Sequence, residues 1–187
     1  MSDSDIKIYK KGSEASSREQ MSEIFDLISY HRANGNFEKA RELGRTLSTL
    51  SPVGDDGLAI SAEDHFTRAP TQGVLYQLKV LLTFAAETMV QREINPEFLS
   101  IMVLNSMRDE ISKKHPNFFR SMTDGAAFTF YSLALKRDGD PQENIGQAFA
   151  MLCDDCGDED FIRIGKSMWK IACETVKSEI EKRNFSK

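Results

Sequence analysis

The sequence predicts an all-α protein of about seven helices folded back on one another as antiparallel hairpins, either a helical bundle or a short α-α superhelix. Three observations carry that expectation. Apolar residues recur at the i, i+3, i+4, i+7 spacing that lines one face of a helix. No segment alternates apolar and polar residues over a strand system. The prolines, five in 187 residues, mostly stand where helices begin or have just ended. Asp5-Ile6-Lys7-Ile8-Tyr9-Lys10 does alternate, but it is isolated at the terminus and reads as part of a loose arm.

Residues 1–16, rich in Ser, Asp and Lys, read as a flexible N-terminal arm that can bury little. Order is expected from Ser17, which with Gln20 forms a capping box for a first helix running to about Asn34. Its stripe of Met21, Ile24, Phe25, Ile28 and His31 is expected to face inward. Gly35 suits the left-handed end of that helix, and Asn36 is placed to cap a second one carrying Phe37, Ala40, Leu43, Leu47 and Leu50. So short a connection predicts an antiparallel hairpin over 17–51.

Residues 52–70 read as a long irregular loop, with a turn of helix expected at Ser61 to Phe66. The remainder, 71–187, reads as a helical bundle in the same single domain of 17–187. Val74 to Val90 is apolar on most of its circumference, which marks a central helix. Asn95-Pro96, His115-Pro116 and Asp140-Pro141 each start a further helix. Asp140 with Glu143 completes another capping box, and Asp158-Glu159-Asp160 offers acidic side chains to the positive end of the last helix. That helix carries Phe161, Ile164, Met168, Trp169, Ala172, Val176 and Ile180 and is expected to end near Asn184.

Hydrophobic residues at 40% and charged residues at 28% can bury a core within a solvated shell. The net charge of −5 speaks against general attraction to nucleic-acid phosphates. Without a leader-like apolar stretch or an apolar run of about 20 residues, the chain is expected to be cytoplasmic and to have no membrane partner. Three cysteines do not make a disulfide framework.

The first hairpin resembles one tetratricopeptide (TPR) motif at about residues 21–54. The likeness rests on Leu27, Ile28, Gly35, Phe37, Ala40 and Pro52. That pattern carries a bulky residue at His31 and an aromatic at Gly44, where this chain departs from it. The resemblance implies contacts with a protein or peptide on concave helix faces. Faint likenesses among 35–39, 116–120 and 159–163, each aromatic and basic, suggest a repeat of a little over 40 residues.

Chemical motifs are scarce. Cys153-Asp154-Asp155-Cys156 has a C-x-x-C spacing, but only Cys173 remains as a further thiol, short of a four-ligand zinc site. Cys153 and Cys156 read better as packing residues on an inward stripe. The acidic run around Asp154 and Asp158 to Asp160 lacks the oxygen pattern and glycine of a calcium loop. Neither cofactor nor metal is expected, no catalytic residue is assigned, and enzyme activity is the less favoured reading.

The favoured function is a protein-interaction or adaptor module. Arg32, Lys39 and Arg41 are candidate binding residues as part of a basic face, His65 as a loop residue beside Glu63 and Asp64, and Tyr76, Phe84 and Tyr131 as aromatics beyond packing needs. The alternative is a small-ligand sensor or enzyme with an interhelical pocket covered by the 52–70 loop. A homodimer through the last helix is a third reading.

Overall fold

A computed structural model describes residues 12–53, 57–60, 66, 69–154 and 156–186. Eight helices occur among them: α1 (Gly12–Ala33), α2 (Asn36–Leu47), α3 (Gln72–Glu93), α4 (Glu97–Lys114), α5 (Pro116–Asp124), α6 (Ala127–Lys136), α7 (Pro141–Leu152) and α8 (Glu159–Arg183). The described residues hold no strand, only an isolated bridge between Ser51 and Ala59. The fold is therefore all-α. The eighth helix arises because the segment after Pro116 breaks at Gly125 and Ala126 into α5 and α6.

The chain divides into two compact units, one running to Asn36 and taking in Ser186, the other spanning Phe37–Phe185. In the first unit, α1 begins at Gly12, ahead of the expected start at Ser17. Its stripe is not inward: Met21 and Ile24 are each 55% exposed and Phe25 63%. Periodicity marks a face but cannot say what covers it. Only His31 at the end of the stripe is buried.

Asn36 does different work from the helix cap expected of it. Its Nδ2 donates to Ser186 O at 2.9 Å and lies 2.7 Å from His31 Nδ1, while its Oδ1 accepts from Ser186 N at 3.1 Å. Every polar atom of the amide is thereby used, with the unprotonated ring nitrogen of His31 as acceptor.

The second unit is organised around α3. Twelve of its residues are buried, including Leu78, Leu81, Leu82, Phe84, Ala85 and Ala86, in keeping with an apolar circumference. Thr71 caps it, its Oγ1 accepting from Val74 N at 3.3 Å. Among the described residues α3 is the one helix long and apolar enough to cross a membrane, and 67% of that window is buried inside the fold.

Close helix contacts run through glycines. A Cβ on Gly146 of α7 would lie 2.5 Å from Ile162 O of α8, and one on Gly165 of α8 would lie 2.7 Å from Phe149 Cβ and 3.1 Å from Gly146 Cα. Likewise a Cβ on Gly44 of α2 would lie 2.5 Å from Val103 O of α4, where Ser106 Oγ also donates to Arg41 O at 2.8 Å. The aromatic of the TPR pattern has no room at Gly44.

The helix starts follow local chemistry. Asp140 accepts from Gln142 N at 3.0 Å and Asp158 from Asp160 N at 2.7 Å. Glu143 does not turn back to complete a capping box; its carboxylate pairs with Lys166 of α8. Asp154, acidic at the negative end of α7, takes the left-handed conformation with φ 62° that terminates the helix. Asp is among the few non-glycine residues that tolerate it. At the far end of α8, Asn184 does the same with φ 45°.

Candidate interaction groove

The helix α6 shows how the second unit acquires an apolar surface. Tyr131 and Ala134 are buried and Phe128 and Leu135 are partly buried, forming one arc that meets the core. At 100° per residue, Phe130 and Leu133 fall outside that arc. They are 40% and 60% exposed. Across from them on α7 stands Met151, 39% exposed.

Together these side chains line an open groove of about 490 Å³, floored by Ala134, Ala148 and Ile162 and bordered by Arg137, Asn144, Gln147 and Cys156. One end is polar and internally organised. Asn144 Nδ2 donates to Arg137 O at 3.2 Å, and Arg137 Nη1 donates to Gln147 Oε1 at 3.3 Å. Among the described residues Arg137 forms no ion pair, so its cation is available to a carboxylate. An apolar trough ending in a guanidinium suits an amphipathic segment with an acidic residue beside its apolar face.

The residues singled out in the sequence do not gather here. Arg32 is exposed near the end of α1. Lys39 Nζ donates to Asn184 O at 2.8 Å, and Arg41 pairs with Glu38 on its own helix. Lys39 thus ties α2 to the end of α8, and Arg41 pairs within α2. His65, with Glu63 and Asp64, lies outside the described residues, as does most of the turn expected at 61–66.

Tyr76 packs edge-on against Phe118 at 5.7 Å, whose ring also carries Lys79 Nζ at 4.7 Å from its centroid. Burial pushes its hydroxyl pKa up, partly offset by a hydrogen bond with Ser121. Burial also lowers the pKa of Lys79, and burial, Lys79 and Lys114 lower that of His115.

Phe84 and Tyr131 are core residues, 5% and 0% exposed, and stack on each other at 5.3 Å. Phe84 also meets Phe128 at 5.4 Å and Trp169 at 5.7 Å. The aromatics read as surplus to packing are thus largely the packing itself. Tyr131 Oη is buried without a hydrogen-bond partner in the structure, and burial drives its pKa well above the ordinary value. Tyr131→Phe is therefore expected to leave stability unchanged or raise it by up to about 1 kcal/mol, because an unmade bond is removed. A lower melting temperature would show that the hydroxyl does have a partner.

The C-x-x-C residues part company. Cys153 is half-buried, whereas Cys156 is exposed at the groove edge and is not a packing residue. All three cysteines are free thiols. Burial pushes the pKa of both Cys153 and Cys173 up to about 12, which keeps them protonated and poor nucleophiles at neutral pH.

Among the described residues no three metal-ligating side chains gather. The described end of the 52–70 loop, through Phe66, Ala69 and Pro70, borders a second cavity of about 460 Å³ with Val74, Asp158, Phe161 and Ile164. None of the sequence-selected aromatics lines it.

Leu133, Arg137 and Met151 were not singled out by the sequence, although a signal exists. The helix α6 carries apolar residues on more of its circumference than one buried arc needs. Set against known protein families, curated proteins and solved structures, the chain matches none.

Proposed function

We propose that this chain is a protein-interaction module whose α6–α7 groove receives the apolar face of a partner helix, with Arg137 meeting a carboxylate on that helix. The observation that carries the reading is the pairing of Phe130 and Leu133 on α6 with Met151 on α7 across one groove. Exposed apolar side chains collected in a concave surface, with polar groups at its rim, are the usual makings of such a site. The resemblance of residues 21–54 to a TPR motif supports the same class of function. The free thiols fit a reducing, cytoplasmic setting.

Selection from a displayed library of helical peptides tests this reading. The expected binders carry apolar residues at i, i+3, i+4 and i+7 with a flanking Asp or Glu, and bind at least about tenfold more weakly to Leu133→Glu, which places a charge in the trough. Failure to select any binder, or binders indifferent to both Leu133→Glu and Arg137→Glu, would overturn it. A melting temperature raised instead by a metabolite or metal would favour the small-ligand alternative.

A further inference from the structure

The helix α1 presents an apolar face to solvent within a segment exposed on every side. Each side chain from Gln20 to Leu27 is exposed. Met21, Ile24, Phe25, Leu27 and Ile28 nevertheless fall within an arc of about 160° at 100° per residue. The opposite side carries Ser22, Glu23, Asp26 and Ser29. Helices of this kind owe most of their order to the packing of their amphipathic face, since helix propensity alone holds short segments only marginally in water.

We infer that α1 is a self-association element that pairs antiparallel with α1 of a second copy of this chain. Between Met21 and Ile28 the arc carries no charge, which suits a two-fold contact because residues near the axis meet their own kind. Its area is also sufficient. With exposures of 42–63% for Met21, Ile24, Phe25 and Leu27, the arc offers roughly 450 Å² of apolar surface per copy, about the apolar share of a standard interface side.

Met21, Ile24 and Ile28 have a, d, a spacing, so antiparallel pairing sets Ile24 of each copy against Ile28 of the other. The two helix dipoles then oppose. A membrane surface fits less well, because interfacial helices carry Lys and Arg on the polar face where α1 carries Glu23 and Asp26.

The inference does not depend on the α6–α7 groove. Sedimentation of the full chain at tens of micromolar tests it, with a dimer of the 21.1 kDa chain expected. Ile24→Glu with Ile28→Glu should lower the association constant by at least about 100-fold while the cooperative melt of the second unit is retained. Leu133→Glu should leave the dimer intact.

A wild-type monomer overturns the inference. So does a dimer that survives the α1 double variant, or one lost with Leu133→Glu, which would move self-association to the groove. Binding of the wild-type monomer to anionic phosphatidylserine vesicles, abolished by the α1 variant, would assign the face to a membrane instead.

Discussion

Gly146→Ala is expected to lower the stability of the chain by about 2 kcal/mol, although the same change in an exposed helix would gain up to about 1 kcal/mol from propensity. Space decides the sign. The added methyl would sit 2.5 Å from the Ile162 carbonyl oxygen and 2.7 Å from Lys166 Cγ. The lysine can move, but the carbonyl belongs to the α8 backbone and cannot yield without moving that helix. Gly165→Val should cost more, about 3 kcal/mol, because it presses a branched side chain against Phe149 and Gly146 at the same crossing. Urea unfolding measures both, and equal midpoints for wild type and Gly146→Ala would show that the helices part at no cost.

Arg183→Met should cost about 2–3 kcal/mol at neutral pH. The Arg183 guanidinium donates to the buried Glu179 carboxylate and, at 2.7 Å, to Thr46 Oγ1, joining α8 to α2. Methionine keeps much of the stem but leaves Glu179 with only the largely exposed Lys182 to answer its charge. Burial raises the Glu179 pKa, but the bonds from Lys182 and Arg183 outweigh it and hold the carboxyl below its ordinary 4.5.

A carboxyl whose pKa is depressed by folding contributes stability above its unfolded pKa and loses it as pH falls through the folded value. The penalty of Arg183→Met should therefore be full at neutral pH and shrink below about pH 4.5. Denaturant midpoints at neutral pH and near pH 3.5 check this, and a penalty independent of pH would place the effect in packing.

Helix identity was legible because it is written locally. Asp140 and Asp158 announce helix starts within a few residues, and the apolar circumference of α3 announces its central place; the Thr71 cap of α3 emerges only in the structure. The break between α5 and α6 is a subtler local event, marked only by Gly125. The outward face of α1 was not legible, because its spacing is the same whether a core or water lies opposite.

The groove was hidden for a related reason. It needs α6, α7 and Ile162 of α8 brought side by side, and only the surplus apolar positions Phe130 and Leu133 hinted at it. Conversely, Phe84 and Tyr131 stood out as aromatics, yet composition cannot show that they face each other and Trp169 in the interior. The partners of Lys39 and Arg41, Asn184 O and Glu38, likewise depend on the folded arrangement and on side-chain placement that composition does not carry.

The amide of Asn36 holds both backbone polar groups of Ser186, a residue 150 positions away. The entropy of closing so long a loop grows only logarithmically with its length, so this tie is inexpensive once the intervening helices have formed and of little use before. Its formation should therefore come late in folding. In the folded protein, hydrogen at the Ser186 nitrogen should exchange with solvent more slowly than at a backbone amide without such a bond.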